Sequence, residues 1–549
     1  MPPTSRRTRP ARRTRRSRRP AALMALAAAG SLLLTSCQFA SADGAQKART
    51  DPAHAPELRT YYQQKPHWKA CGDGLRCASL KVPMDYSRPT GRTFTLPLVK
   101  HPAENAKRRL GSLVYNPGGP GASGVEDLKG GTAASFGKRV RARFDIVSFD
   151  PRGVGGSKPA VSCDWDGGEE PEGGAEEEAP VALYPRDGEQ RRAALASADA
   201  ESRGCRRGSG SVLPHVGTPD AARDMDVLRA ALGDRKLNFL GWSYGTSLGT
   251  TYGELFPRRV RTMVLDGAVD PSLDWYERAL SQGTAFRRSV DDYARQCADF
   301  AGDSCPGTTP REIREVVDTL YAETAREPLP APGADTTLDS RTLNAAVTLA
   351  MYAPEDQWED LSDALWQAYD EGDGTGLVKL AGGEEPTAGD EGGAQLPGAA
   401  RESVGGRAAG RAPDNSDAAL LAVNCLDIPH PRSASAYWKV MAAAHREAGV
   451  FGTSTVVDEM SCRTWPRGTV KPHRAKAPGL APALVIGTTG DPATPYHEAR
   501  SLARQLPKAM LLTYQGLGHT AYGRGGSCVG RIVDDYFLYR EKVRAGTVC

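Results

Sequence analysis

The feature that most constrains this chain is the alternation of short apolar segments with amphipathic ones. The apolar segments have the length of β-strands, and several of the segments between them have helical periodicity. Such alternation favours a mostly parallel sheet covered by helices on both faces. We expect strands at residues 93–99, 111–116, 144–149, 237–240, 260–265, 483–487 and 510–514, with helices at 220–232 and 496–506 among others.

The first 36 residues have the pattern of an export signal. Nine arginines and no acidic residue lie before residue 21, and an apolar run at 21–34 is followed by Leu-Thr-Ser-Cys at 34–37. The run is shorter than the ~20 residues that span a bilayer, which indicates a signal peptide. The ending resembles a bacterial lipobox and predicts lipid on Cys37. An ordinary cleaved signal with an incidental cysteine is the alternative, and Ser17-Arg18-Arg19 also fits a twin-arginine signal.

Charge and cysteine content follow from this assignment. The whole chain carries a net charge of +4, and removing the nine arginines of the segment leaves about −5. A weakly acidic protein lacks the basic footprint of a nucleic-acid binder.

Ten cysteines remain beside Cys37, an even number that favours disulfides outside the cytoplasm. The simplest pairing joins neighbours, 71–77, 163–205, 297–305, 425–462 and 528–549; no metal-ligand spacing occurs, so we expect no metal and no cofactor.

Composition divides the chain into a core and an inserted region. Residues 37–60 are predicted to be a flexible tether, 61–269 the first part of the core, and 479–549 its C-terminal part. The segment 270–478 lies between two sheet strands and has helical patterns at 314–323, 338–351 and 358–369, which predicts a helical cap domain. Residues 167–180 and 371–413 are too poor in large apolar residues to pack, so we expect mobile insertions there.

A Gly-x-Ser-x-Gly motif lies between a predicted strand and a predicted helix, at Gly241-Trp242-Ser243-Tyr244-Gly245. It directly follows the strand at 237–240 and precedes a plausible helix at 246–256. A nucleophile elbow needs this setting, since a tight turn between strand and helix exposes the serine hydroxyl above the sheet. We therefore predict that Ser243 is a nucleophile; the alternative is a Gly-rich turn with an incidental serine.

A nucleophilic serine needs a histidine as base and an acid that orients it. Where the serine lies on a nucleophile elbow, the acid follows it in the chain and the histidine comes last. His519 lies in a Gly-flanked loop after the last predicted strand, and we prefer it to His497, which begins a helix. Asp491 follows the strand at 483–487 and would hold the imidazole tautomer. Asp266, after the strand at 260–265, is the rival acid, and Asp491 could alternatively cap a helix.

The loop Asn116-Pro-Gly-Gly-Pro-Gly follows an early central strand and can expose backbone N–H groups. Acyl transfer needs donors for the developing oxyanion, commonly worth ~3 kcal/mol each. We predict the N–H groups of Gly119 and Tyr244 as these donors.

These motifs together resemble the exported tripeptidyl aminopeptidase group, which is related to the proline iminopeptidases and has a TAP-like C-terminal region. The resemblance also rests on Asp150-Pro-Arg-Gly-Val-Gly-Gly-Ser, on Asp491-Pro-x-Thr-Pro, on Val423-Asn-Cys-Leu-Asp and on the terminal Gly-Thr-Val-Cys. It implies an α/β-hydrolase fold, the triad Ser243, Asp491 and His519, and a cap over the site. It also implies a lipoprotein on the outer face of the membrane, in part released from the cell, that cleaves peptides near a free N-terminus.

Recognition of a free ammonium group favours a carboxylate in a partly desolvated pocket. Asp427, in the family-like motif around Cys425, is the candidate for the substrate amine; capping or solvating a loop is the alternative. Two other functions stay open: an esterase or lipase on the same triad, and a non-catalytic surface lipoprotein.

Overall fold

One ten-stranded sheet lies at the centre of the computed structural model, which describes residues 55–164, 181–300, 305–382, 414–468 and 470–549. Two further short strands form a separate hairpin. The strands are β1 (Lys69–Ala70), β2 (Arg76–Pro83), β3 (Thr93–His101), β4 (Gly111–Asn116), β5 (Phe144–Phe149), β6 (Leu237–Trp242), β7 (Val260–Asp266), β8 (Leu329–Ala331), β9 (Thr336–Leu338), β10 (Leu484–Gly490), β11 (Met510–Leu517) and β12 (Thr547–Val548).

The strand order is β1-β2-β3-β5-β4-β6-β7-β10-β11-β12. The first four strands in this order pair antiparallel, and every pair from β5/β4 to β11/β12 is parallel. All residues of β4, β5 and β6 are buried, as expected for parallel strands covered on both faces. All seven predicted strands are present, and the predicted α/β-hydrolase architecture is confirmed.

Helices cover both faces of the sheet. Along β6, Phe239 and Leu240 belong to different hydrophobic clusters because successive strand residues point to opposite faces. The helices are α1 (Arg59–Tyr62), α2 (Gly124–Lys129), α3 (Lys138–Arg141), α4 (Gly188–Ser209), α5 (Thr218–Ala231), α6 (Tyr244–Leu255), α7 (Trp275–Phe300), α8 (Pro310–Thr324), α9 (Ser340–Ala350), α10 (Pro354–Trp366), α11 (Thr375–Gly382), α12 (Ser416–Asp427), α13 (Ala434–Asp458), α14 (Tyr496–Gln505) and α15 (Gly526–Tyr539).

The segment between β7 and β10 is largely helical, as the sequence predicts. It contains α7 to α13 and the β8–β9 hairpin. Tyr293, Leu320, Leu361 and Leu365 are among the buried residues of a hydrophobic cluster that this segment forms together with Leu183 and Ala493. The described residues from 55 to 549 nevertheless belong to one compact unit, so this helical segment packs closely on the core.

The predicted end of the tether and the predicted start of the second insertion are both wrong. Leu58 is buried in the main hydrophobic cluster and α1 begins at Arg59, so the tether ends before residue 60. The insertion predicted at 371–413 begins too early, since α11 buries Leu377 and Ala381 against the cap. The remainder of that insertion, the segment 165–180, the predicted signal peptide and Cys37 lie outside the described residues.

Five disulfides join cysteines that are neighbours in the chain. The pairs are Cys71–Cys77, Cys163–Cys205, Cys297–Cys305, Cys425–Cys462 and Cys528–Cys549, which confirms the predicted pairing. Within the described ranges, no helix combines the length and the apolar character needed to cross a membrane.

Candidate active site

Ser243 occupies a sharp turn between β6 and α6. Its backbone has φ 54° and ψ −124°, a conformation that is costly for a residue with a Cβ. The turn is held from behind, because the Ser243 N–H donates to the Asp266 carbonyl at 2.9 Å and Thr246 Oγ1 donates to the Ser243 carbonyl at 2.7 Å. The serine therefore has the geometry of a nucleophile elbow.

The two glycines of the motif are required by close packing. A Cβ on Gly241 would lie 2.2 Å from the Gly245 carbonyl oxygen. A Cβ on Gly245 would lie 2.8 Å from the Asn116 carbonyl oxygen, at the end of neighbouring strand β4. The turn can thus approach both its own helix and the next strand only because these side chains are absent.

His519 and Asp491 meet after the ends of adjacent strands β11 and β10. The ring nitrogen Nδ1 of His519 lies 2.9 Å and 3.0 Å from the two Asp491 carboxylate oxygens. Asp491 also accepts the N–H of Thr494 at 2.8 Å, and both side chains are buried. A carboxylate bound in this way fixes the proton on Nδ1 and leaves Nε2 as the basic nitrogen.

Ser243 and His519 lie on the same side of the sheet end. Gly267 directly follows Asp266, whose carbonyl holds the Ser243 N–H, and a Cβ on Gly267 would lie 3.1 Å from His519 Cε1. Nε2 of His519 is buried and has no hydrogen-bond partner among the described residues. The serine–histidine hydrogen bond is not formed here, and such bonds often tighten only when substrate is bound.

The predicted oxyanion loop packs directly on Ser243. A Cβ on Gly118 would lie 2.9 Å from Ser243 Cβ, so only glycine allows the loop to approach so closely. Tyr244 is the first residue of α6, where N–H groups have no intrahelical acceptor. The N–H of Gly119 has no protein acceptor in the described part of the chain. Both predicted donors are therefore available to a ligand.

The motif that begins at Asp150 supports this loop rather than the chemistry. Asp150 Oδ1 accepts Ser123 Oγ at 2.7 Å and the Val125 N–H at 3.0 Å, which ties it to the start of α2. Arg152 is fully buried and forms two hydrogen bonds of 2.7 Å with Asp224. Buried charges are tolerated only when paired in this way, so this motif is structural.

The two rival candidates make other contacts. The Asp266 carboxylate accepts the N–H groups of Ala521 and Tyr522 at 2.7–3.1 Å and so shapes the loop that carries His519. Burial raises the pKa of Asp266 to about 6. His497 is exposed, and its Nε2 lies 3.3 Å from Ser281. The structure thus pairs His519 with Asp491, and neither Asp266 nor His497 takes part in that pair.

Asp427 has a different environment from the one predicted for an amine-binding carboxylate. Its Oδ1 accepts the Thr218 N–H at 2.9 Å and its Oδ2 accepts the Thr218 hydroxyl, which together cap the start of α5. Gly217, the residue before this helix, has no side chain to do so. Burial raises the pKa of Asp427 to about 6. The capping alternative fits the geometry better than amine recognition.

Tyr352 contacts the loop that carries His519, a contact that the sequence does not indicate. Its ring meets the His519 imidazole edge-on at a centroid distance of 5.1 Å, and its carbonyl accepts the His519 N–H at 2.8 Å. Arg524 binds both Glu355 oxygens, at 2.8 and 2.9 Å, and donates to the Thr520 carbonyl. The loop before α10 thus helps to position His519.

One group of possible metal ligands occurs in the described ranges: His430, Glu459 and Cys462, within 4.8 Å of one another. Cys462 is bonded to Cys425, so its sulfur is not a thiolate and the group is unsuited to a metal.

Known relatives agree with this geometry. Family models described as "alpha/beta hydrolase fold" and "TAP-like protein" match residues 111–318 and 448–549. The chain is 36% identical to the serine protease Hip1 of Mycobacterium tuberculosis, covering 96% of this chain and 97% of that protein. The chain belongs to the tripeptidyl aminopeptidase-like α/β hydrolases.

Two further relatives are named for different activities. The tripeptidyl aminopeptidase of Streptomyces lividans is 33% identical, with 84% of this chain and 81% of that protein covered. The carboxylesterase B of Mycobacterium tuberculosis is 34% identical, with 86% and 87% covered. Hydrolase chemistry on the α/β fold is therefore common to the group, while the bond that is cleaved differs between its members.

Proposed function

We propose that this protein is an exported serine exopeptidase that cleaves peptide bonds near a free N-terminus. Ser243, His519 and Asp491 form its triad, and the N–H groups of Gly119 and Tyr244 form its oxyanion hole. The observation that carries the proposal is the pairing of His519 Nδ1 with Asp491 beside the strained Ser243 turn. Peptidase specificity is favoured by the relatives named serine protease and tripeptidyl aminopeptidase.

The proposed reaction is an acyl transfer through Ser243. Ser243 Oγ attacks the scissile carbonyl carbon while His519 Nε2 takes its proton, and the two N–H groups stabilise the oxyanion. The carbon–nitrogen bond then breaks as His519 returns that proton to the leaving amine. Water, deprotonated by His519, hydrolyses the acyl-enzyme and frees Ser243.

The experiment compares a tripeptidyl anilide that has a free amine with its N-acetylated form. We expect faster hydrolysis of the free-amine substrate, labelling of Ser243 by a fluorophosphonate, and loss of both in S243A. Ser247, one turn further along α6, provides the matched control S247A, which should keep activity. Equal rates on the two substrates would refute the exopeptidase.

An esterase on the same triad is the second candidate, and the relative named carboxylesterase B favours it. It predicts rapid hydrolysis of a short-chain aryl ester with no turnover of any free-amine anilide. A non-catalytic lipoprotein predicts no labelling of Ser243 in the folded protein.

Anchoring through lipid on Cys37, on the outer face of the membrane, completes the proposal. It rests on the arginine-rich start, the apolar run at 21–34 and the Leu-Thr-Ser-Cys ending. Metabolic labelling with a fatty acid should mark the wild-type protein but not C37A. Labelling of both proteins would contradict the anchor.

A further inference from the structure

An open cleft of about 490 Å³ lies between the start of α4 and one face of α13. Its volume is within the range of small-molecule sites, roughly 300–1,000 Å³. None of its residues belongs to the catalytic arrangement described above. The cleft is lined by Tyr184, Arg186, Arg191, Trp438, Met441, Ala442 and His445.

Two guanidinium groups in this cleft have aromatic neighbours and no carboxylate partner among the described residues. Arg186 lies 4.9 Å from the centroid of the Tyr184 ring, and Arg191 lies 5.5 Å from that of Trp438. Neither guanidinium group forms an ion pair with a described residue. The buried Nε of Arg191 also has no hydrogen-bond partner among the described residues. Arg152, also beside aromatic rings, is by contrast fully paired.

His445 adds a third nitrogen donor or acceptor to the same wall. Its ring stacks on Tyr184 at 4.2 Å with an interplanar angle of 20°, and its buried Nδ1 has no partner among the described residues. Burial and then the positive charges of Arg186 and Arg287 lower the pKa of His445. Asp187, the next residue along from Arg186, accepts the N–H groups of Glu189 and Gln190 through its Oδ1 and so caps α4.

We propose that this cleft binds a small organic phosphate monoester. Arg186 and Arg191 both line the cleft, and their guanidinium groups present planar forks of donors from which phosphate oxygens accept charge-assisted hydrogen bonds. The organic part of the ligand would lie on the apolar side, against Trp438, Met441 and Ala442. Inorganic phosphate would satisfy the charges but leave the apolar wall in contact with water.

The test is calorimetric titration of the full chain with phenyl phosphate, inorganic phosphate and phenol. We expect phenyl phosphate to bind most tightly, with an affinity that falls as salt rises, and phenol not to bind. R186Q and R191Q should each weaken phenyl phosphate binding about tenfold or more. Arg186 is exposed, so R186Q should fold normally.

R500Q is the matched control, because Arg500 also lies over an aromatic ring, 6.0 Å from the Tyr496 centroid, but outside the cleft. It should bind phenyl phosphate like the wild type. Equal affinity of wild type and both cleft variants would overturn the proposal, as would an equal loss in R500Q. Absence of phenyl phosphate binding to the wild type would also overturn it, and tighter binding of inorganic phosphate would refute the organic ligand.

Discussion

Asp491 binds His519 Nδ1, and it also accepts the N–H groups of Thr494 and Thr520, which fix its position. Asparagine in its place would keep the shape but could present an amide N–H to His519 Nδ1, which favours the wrong tautomer. We expect D491N to lower kcat by roughly 10³–10⁴-fold with little change in KM. Steady-state kinetics on the preferred anilide measure this.

The rival acid supplies the control for that prediction. Asp266 accepts two backbone N–H groups of the loop after His519, so D266N should lower thermal stability while retaining more activity than D491N. A greater loss of kcat in D266N than in D491N would assign the catalytic acid to Asp266 instead.

Asp427 allows amine recognition and helix capping to be separated. If it caps α5, D427A should cost about 0.5–2 kcal/mol of unfolding free energy, and D427N should recover most of it, because asparagine is also a good cap. Neither variant should change the ratio of kcat/KM between free-amine and N-blocked anilides. A selective loss on the free-amine substrate in both variants would restore the amine-binding role.

The difference between predicted and unpredicted site residues has a physical origin. Ser243, Asp491 and His519 each follow a strand of recognisable pattern, and parallel strands bring their carboxyl ends to one edge. Tyr352 and Glu355 reach the site through contacts across 167 and 169 residues of sequence, respectively. A single sequence has no local signal for such contacts, so these cap residues were missed.

Glu498, at the start of α14, joins two elements through its buried carboxylate. It accepts the Asp270 N–H at 3.0 Å and the hydroxyl of Ser281 on cap helix α7 at 2.6 Å. Burial raises its pKa to about 7, from an ordinary value of 4.5. Between these values the folded state binds more protons than the unfolded chain, so this group makes stability fall as pH rises from about 4.5 to 7.

E498Q should remove that dependence. Glutamine can accept the Asp270 N–H and donate to Ser281 without a charge, so the variant should gain roughly 1–3 kcal/mol relative to wild type at pH 8 and little at pH 5. Denaturant unfolding at both values measures the difference. E447Q, at an exposed position on α13, should unfold like the wild type at both, and a constant offset for E498Q would contradict the titration.

The elements that sequence reasoning missed are short or mixed in polarity. Strand β2 has the sequence Arg-Cys-Ala-Ser-Leu-Lys-Val-Pro, with exposed and half-buried residues over its first half. Strands β1 and β12 have two residues each and exist because a longer neighbour pairs with them. Central strands such as β5 were found because burial on both faces demands an apolar run.

At the scale of the whole molecule, the question is what holds the cap on the core. Asn415, just before α12, makes three side-chain hydrogen bonds to the loop after β5. Its Oδ1 accepts the Gly155 N–H at 2.8 Å. Its Nδ2 donates to the Gly153 carbonyl at 2.9 Å and to the Val161 carbonyl at 2.7 Å. Gly121 of the oxyanion loop lies so close to α12 that a Cβ there would be 2.4 Å from the Ser416 carbonyl oxygen. The cap is therefore fixed directly over the candidate site.

N415A should loosen this attachment, because it removes three hydrogen bonds and leaves the Val161 carbonyl and the Gly155 N–H without this partner. We expect a loss of about 1–3 kcal/mol in unfolding free energy and faster amide exchange in α12. If the cap restricts the site to chain ends, N415A should also raise the rate on N-blocked relative to free-amine anilides. N424A is the control on the same helix, since Asn424 makes one longer side-chain bond, 3.3 Å from Arg278. Wild-type exchange in α12 of N415A would show that other contacts hold the cap.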